Sequence, residues 1–308
     1  MTLRRQRVLA RAPGTIPLSV IIGQKDECGH HAVTRVLHAV GPDTTVTVEP
    51  ALTTTVTTDP GVPDEGTADA GRSALAAVAM LREHTGRRDE VALHLQTPIP
   101  IAGGTGAAAA AAAATLVALN GLWDLGLAPE QLRKWGARLG ARVPCALLGH
   151  STLVQDDGED ASSLLATGEW HWVLAVPDVP VPGPEVYRRH DRIAAESGRD
   201  LSAPSPADPS QFQALRGGDV ALLGETLRND LQAACFAEDP RLIGIVEAAE
   251  RAGAYGAMVC GCGPTVAALA GDRSHAEEIA ARLPRTDPVR AVLIVPGNVP
   301  GARVLEEE

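Results

Sequence analysis

Runs of apolar residues alternate along this chain with clusters of glycine, proline and acidic residues, and their period changes from segment to segment. Arg7 to Ile22 is largely apolar apart from Pro13, Gly14 and Pro17, which predicts a strand with a break. Ala32 to Val40 predicts a second strand or a short helix, and the β-branched stretch Thr44 to Thr58 predicts one or two more strands. Asp59 to Asp69 carries proline, glycine and acidic residues and predicts a loop. Gly71 to Glu83 has a helical period. Glu90 to Gln96 alternates as a strand, with Val91, Leu93 and Leu95 on one face. The stretch Pro98 to Asn120, PIPIAGGTGAAAAAAAATLVALN, predicts an extended approach, a glycine turn and a helix from Ala107 to Asn120, because alanine is the strongest helix former.

Pro129 and Gly140 bracket a further helix whose apolar face is Leu132, Trp135 and Leu139. Val143 to Val154 is an extended apolar run, and His171 to Val176 is a strand. Ser197 to Pro209 predicts a polar, proline-rich surface loop. Asn229 to Ala237, Ile243 to Ala252 and Ser274 to Leu283 predict helices. Gly256 to Leu269 predicts a strand, a glycine turn and a second strand, and Ala291 to Val295 a closing strand. There is no internal repeat. The mixture is α+β, with a boundary between Leu153 and Glu169 that divides the chain into 1–160 and 161–308.

Composition narrows the class. With 308 residues the chain can bury a large core, and no apolar run is long enough to span a bilayer. The first residues, MTLRRQRVLARAPG, make a poor secretory signal. A net charge of −11 argues against nucleic acid as a partner. The five cysteines are widely spread and fit a reducing cytoplasm, the expected location.

Three patches carry candidate chemistry. Gly103, Gly104 and Gly106 open into the alanine helix, and such a turn presents free N–H groups and the positive end of the helix dipole to a phosphate. Without a phosphate, the same turn is a tight entry to a small-residue helix. His30 and His31 stand beside Cys28 and Glu27, but no second ligand cluster follows at a zinc spacing. Asp156, Asp157, Glu159 and Asp160 form QDDGED, in which three carboxylates can offer oxygen to Mg²⁺. The spelling resembles the Asp-Asp-x-x-Asp word of class I terpene synthases, whereas a solvated acidic loop is the plainer alternative.

The ordered words APGTIPL, CGHH, PIPIAGGTGAAAAAAAATLVALNGLWDLGL, LGARVP, WHWVLAVP, RNDLQAA and GCGPTVAAL resemble the GHMP small-molecule kinase superfamily. Within it, they resemble the diphosphocytidyl-methylerythritol kinases of isoprenoid biosynthesis. The resemblance covers nearly the whole chain. It implies an N-terminal half like ribosomal protein S5 domain 2, a ferredoxin-like C-terminal half, and a cleft between them. His30 and His31 then stand where a Tyr-His pair recognises cytosine, and Gly261 and Gly263 keep the turn of the third motif, with Cys260 and Cys262 in place of its usual serines. Asn229 and Asp230 match a mainly structural Asn-Asp-Leu word.

The departures bear on activity. The family's Ala-Pro-Ala-Lys-Ile-Asn-Leu word reads Ala12-Pro13-Gly14-Thr15-Ile16-Pro17-Leu18, so the lysine position holds Thr15. The Gly-Ala-Asp-Val-Pro word reads Gly140-Ala141-Arg142-Val143-Pro144, so the catalytic aspartate position holds Arg142. Arginine stays protonated and cannot accept the hydroxyl proton. In the phosphate loop Ala107 and Ala108 stand at glycines, and Ala109 stands at the serine that serves the phosphates and magnesium. Oriented acid–base help alone is worth about 10²–10⁴ in rate.

The resemblance with these losses implies a kinase-dead relative that binds or converts a phosphorylated or isoprenoid-type small molecule without phosphoryl transfer. Terpenoid cyclisation or isomerisation is its most specific version, with Asp156, Asp157, Asp160 and Arg142 as catalytic or metal-holding residues. ATP is not expected as a cofactor, Mg²⁺ stays open, and so does a homodimer. A silent binding protein and a residual ATP-dependent kinase are the alternatives.

Overall fold

A computed structural model of the chain describes residues 6–59, 64–98, 103–177, 181–199, 201, 207–283 and 289–307. The elements run β1 (Val8–Lys25), β2 (His31–Pro50), β3 (Thr55–Thr58), α1 (Asp64–Thr85), β4 (Val91–Gln96), α2 (Ala107–Leu122), α3 (Pro129–Ala137), α4 (Val143–Leu148), β5 (Ser151–Gln155), β6 (Ala161–Leu164) and β7 (Trp170–Pro177). They continue with α5 (Gly183–Ser197), α6 (Pro209–Gly217), α7 (Val220–Glu225), β8 (Arg228–Asn229), α8 (Gln232–Glu238), α9 (Arg241–Arg251), β9 (Gly256–Val259), β10 (Val266–Ala270), α10 (Arg273–Arg282), β11 (Val289–Gly297) and β12 (Arg303–Glu307).

Among the described residues the strands form one 12-stranded sheet whose main path is β12-β1-β2-β11-β7-β10-β9. β1 and β2 are antiparallel and far longer than the usual strand, and shifts of register between Ala12 and Gly14 and between Pro17 and Ser19 bend them. The break expected at the prolines is therefore a pair of irregularities inside one strand. Besides β1, β2 pairs with β4 along Thr45–Pro50, with β5 along Thr34–His38 and with β11 at Val40–Gly297. Alternate burial of Val8, Ala10 and Ala12 gives way to continuous burial from Ala12 to Ile22, where both faces of the sheet are covered.

The alanine helix covers the first part of β1, Val8 to Ala12, whereas Ile16 and Leu18 pack with Trp170 and Leu215, and Val20 and Ile22 with Val173 and Leu242. α2 buries Ala110 to Ala114 together with Leu116, Ala118 and Leu119, against Val8, Val46 and Leu93 of the sheet and Ala74, Ala77, Val78 and Leu81 of α1. Small side chains let the helix lie close to the sheet, and the spacing of Ala70, Ala74, Ala77, Val78 and Leu81 is the 3.6-residue period of a one-sided helix. In the second half, α8, α9 and α10 pack on β7, β9 and β10 through Leu242, Ile245, Ile279, Val173, Val259 and Val266.

Several expectations change. Val143–Leu148 is a short helix, not an extended run: Pro144 sits in its first turn and Gly149, at φ 74°, ends it. Short apolar runs fit either a strand or a buried helix by pattern alone. α1 begins at Asp64, inside the expected loop, and residues 60–63 lie outside the described residues. Arg228–Asn229 pairs with β1 as a short strand before α8, so the helix expected from Asn229 starts at Gln232. β11 is not the last strand, because β12 returns to pair with β1. α5, α6 and α7 had no forecast, and residues 200 and 202–206 of the loop expected at Ser197 to Pro209 lie outside the described residues. The division at 160/161 falls in the turn of the β5–β6 hairpin, and β12 crosses it a second time.

His38 lies at the centre of the sheet and is fully buried. Its Nε2 accepts the Asn298 N–H at 2.9 Å, so Nδ1 carries the proton and donates to Ser151 Oγ at 2.8 Å. The rings of Trp170 and Trp172 flank it at 6.1 and 6.0 Å. Burial pushes its pKa down to about 3, far below the 6.5 of a free histidine, so the folded protein holds it neutral. Between those two values the unfolded chain binds the proton and the folded one does not. Stability should therefore fall as pH drops from 6.5 toward 3, with this residue contributing about 1.4 kcal/mol per pH unit. Urea titrations from pH 7 to pH 4 should show a shallower slope in His38→Gln than in the parent.

Candidate functional site

The glycine turn is pressed onto two neighbouring segments. The Thr15 N–H donates to the Thr105 carbonyl at 2.8 Å, and Thr265 Oγ1 donates to the Gly103 carbonyl at 2.7 Å. The fit leaves no space for a side chain. A Cβ on Gly104 would stand 2.8 Å from the Cys260 carbonyl oxygen, and one on Gly106 would stand 2.3 Å from Thr15 Oγ1. Gly106, at φ 73°, forms the N-cap of α2, and no side chain caps that end. The turn thus ties β1 and α2 to the Cys260–Thr265 turn of the second half.

Arg142, at the start of α4, reaches into the same place. Its Nη1 donates to the Gly104 carbonyl at 2.7 Å, and its Nη2 lies so near Gly261 that a Cβ there would stand 2.9 Å away. No carboxylate among the described residues pairs with it. Burial draws its pKa below the usual arginine value, with Cys260 and Cys262 acting the other way and Arg35 adding to the fall. Burial also pushes the Cys260 thiol up to about 12 and raises Cys262, so both are neutral at pH 7. The Arg142 cation therefore has no anion beside it.

A cavity of about 370 Å³ opens in front of this arrangement. Gly103 to Ala109 and Leu139 to Val143 form two walls, and Arg35, Asp69 and Ser73 complete it. Its volume suits a small ligand. Asp69 is engaged by Arg72 one turn along α1. Arg35 donates to the Asp156 carbonyl at 2.8 Å and hydrogen-bonds to Tyr187. Thr15 and Thr105 are buried, and neither hydroxyl has a hydrogen-bond partner.

The other expected residues are placed as follows. Thr15 and Arg142 are near neighbours through the glycine turn, and Ala109 lines the cavity. His30 and His31 diverge: His30 is exposed, whereas the His31 ring stacks on Tyr187 at 5.5 Å and brings Nε2 to 2.8 Å from Asp191. Gly261 and Gly263 shape the turn that meets Arg142 and Gly103.

Asp156, Asp157 and Asp160 form the β5–β6 turn and do not converge on a metal site. Asp156 Oδ1 accepts the Val33 N–H at 3.0 Å, Asp157 Oδ1 accepts the Glu159 N–H at 3.0 Å, and all three residues are exposed outside the cavity lining. Among the described residues no group of three or more His, Cys, Asp or Glu is disposed to hold a metal ion. Sequence reasoning passed over Arg35, Thr105 and Tyr187 as site residues. The one available signal was a charged residue, Arg35, inside the apolar run Ala32 to Val40.

Comparison with known proteins defines the class. The chain matches the GHMP kinases N terminal domain over residues 72–150 and the GHMP kinases C terminal over residues 211–288, on either side of the 160/161 division. It belongs to the GHMP kinase family, and its fold is the α+β fold of that family. Among curated proteins it is 36% identical over 307 residues to the 4-diphosphocytidyl-2-C-methyl-D-erythritol kinase of Pseudarthrobacter chlorophenolicus, covering 97% of this chain and 95% of that one. The enzyme of the same description from Rhodococcus jostii is 36% identical over 300 residues, covering 97% and 96%. A crystal structure of 4-(cytidine 5'-diphospho)-2C-methyl-D-erythritol kinase superposes with a TM-score of 0.71 at 23% identity, covering 94% of this chain and 99% of that one. No helix among the described residues is long and apolar enough to cross a membrane.

Two measurements check this geometry. Gly104→Ala forces a side chain into φ 89° and against Cys260, and should lower the unfolding free energy by about 1–3 kcal/mol in urea. Iodoacetamide at pH 8 followed by mass spectrometry should label exposed Cys28 first and partly buried Cys262 next, leaving Cys145, Cys235 and Cys260 for the unfolded chain.

Proposed function

We propose that this GHMP kinase relative binds a phosphorylated small molecule in its cleft and does not transfer a phosphoryl group. The observation that carries the reading is Arg142, which holds a guanidinium against the glycine turn with no carboxylate paired to it. Phosphoryl transfer depends on positioning and on charge placed at the reacting oxygens. A base must approach the attacking hydroxyl, and a fixed cation cannot take its proton. The same cation, with the uncapped start of α2 beside it, favours an anion. Thr15 supplies no positive charge, and Ala109 supplies no oxygen for a metal.

The curated relatives are kinases of a diphosphocytidyl-methylerythritol, which makes an isoprenoid-pathway intermediate the natural class of ligand. Conversion of such a ligand, as opposed to simple binding, would have to draw on the lining residues Arg142, Arg35, Ser73 and Thr105. The carboxylates of the β5–β6 turn are not among the cavity-lining residues, and the turn meets the cavity only through the Asp156 carbonyl that accepts from Arg35.

A second reading rests on Asp69, a carboxylate in the cavity wall. In it, Asp69 accepts the proton and slow kinase activity survives. Its carboxylate is engaged by Arg72, which favours the first reading.

The test is a coupled assay with ATP, Mg²⁺ and diphosphocytidyl-methylerythritol. The expected outcome is no turnover above background, while the same compound raises the melting temperature. Turnover at about 1–100 per second, the range of working kinases, would overturn the first reading. Slow turnover abolished by Asp69→Asn would establish the second.

A further inference from the structure

We infer that the cleft holds the phosphate or diphosphate end of its ligand between Arg142 and Arg35 without a divalent metal. The inference rests on the reading that a phosphorylated small molecule binds there, and adds how its charge is balanced.

Both guanidinium groups border one cavity. Arg35 is close enough to draw the Arg142 pKa down, after the larger effect of burial, and both guanidinium groups act on Tyr187, to which Arg35 hydrogen-bonds. Arg142 spends one nitrogen on a backbone carbonyl, and Arg35 spends one on the Asp156 carbonyl. Neither bond neutralises charge. Two like charges in one partly enclosed space repel, and an anion between them removes the repulsion while accepting forked hydrogen bonds.

The lining supplies an independent sign of a ligand. Thr105 borders the cavity and is 1% exposed, yet its hydroxyl has no partner. A buried hydroxyl ordinarily finds one. It sits one residue before Gly106, the uncapped N-cap of the 16-residue helix α2, whose first residues Ala107 to Ala109 line the same cavity.

The wall offers little to a metal. Ala107, Ala108 and Ala109 carry no side-chain oxygen, the side-chain oxygens of the lining are the neutral hydroxyls of Ser73 and Thr105 and the Asp69 carboxylate, and Asp69 is held by Arg72. Divalent cations bind through several oxygen ligands, and two fixed cations would repel the ion. The arginines do here what a metal does elsewhere: they offset the negative charge of the phosphate oxygens. Charge balance then comes entirely from the protein.

Isothermal titration calorimetry of the full chain tests this. The probes are inorganic phosphate, inorganic pyrophosphate and dimethylallyl diphosphate, each in EDTA and in Mg²⁺. The organic diphosphate should bind at least as tightly in EDTA as in Mg²⁺, which competes for the free diphosphate in solution, and more weakly at high salt. Tighter binding of the organic probe than of pyrophosphate identifies an ester as the ligand, and equal binding identifies the bare anion; both support the site.

Arg142→Gln, which keeps a donor for the Gly104 carbonyl, and Arg35→Gln should each weaken binding by about tenfold. Circular dichroism confirms that the variants are folded. Should Arg142→Gln fail to fold, Arg35→Gln and the salt dependence carry the test. Binding that appears only with Mg²⁺, binding unchanged in the folded variants, or no binding of any probe overturns the inference. Phosphoryl transfer in the kinase assay would instead overturn the preceding reading, so the two failures are distinct.

Discussion

The close seating of the glycine turn on Thr15 and on the Cys260–Thr265 turn is the contact from which the cleft is built. The glycines add no side chain of their own there: the Thr15–Thr105 backbone hydrogen bond closes the contact, Gly104 meets the Cys260 carbonyl and Cβ, and Gly106 meets the Thr15 hydroxyl. Residues from the start, the middle and the last quarter of the chain are held together at a point. Each can contribute to a common cavity because the glycines remove the bulk that would hold them apart. The alanine helix extends the same principle. Its small side chains let α2 lie on the sheet, and its free end stays at the cavity.

Charge gives the cavity its character. The scaffold is that of a kinase family, but the group standing against the turn is a guanidinium with no acid beside it. The thiols nearby do not neutralise it, because burial keeps them protonated. A fold shared with kinases therefore frames a site whose function has to be argued from its own residues, and the proposal of an anion-holding cleft rests on that guanidinium. His38 shows the opposite solution to burial. It stays neutral at the centre of the sheet and uses both ring nitrogens in hydrogen bonds.

Local signals made much of the fold legible. The alternation of Val91, Leu93 and Leu95 marked β4, the alanine run marked α2, and the paired strands around Cys260 to Thr265 were read with their turn. Val143–Leu148 was misread because six apolar residues carry no period long enough to separate helix from strand. The return of β12 to β1 and the split loyalty of β2 are long-range pairings that no local window contains. Thr15 and Arg142 were legible as departures from a family pattern, since each is a change of residue type at a marked place. Arg35 and Thr105 were not, because nothing near them in sequence says what they face.

The amino-acid order alone settled family membership and the helix that opens from the glycine turn, since these depend on residue identity and local period. Only the folded chain decided that the acidic turn stays at the surface, that the His31 ring stacks on Tyr187, and that two arginines and an unpartnered threonine hydroxyl border one cavity. The reason is geometric: convergence of side chains from β2, α2 and α4 is set by the packing of the sheet and helices, which sequence spacing does not record.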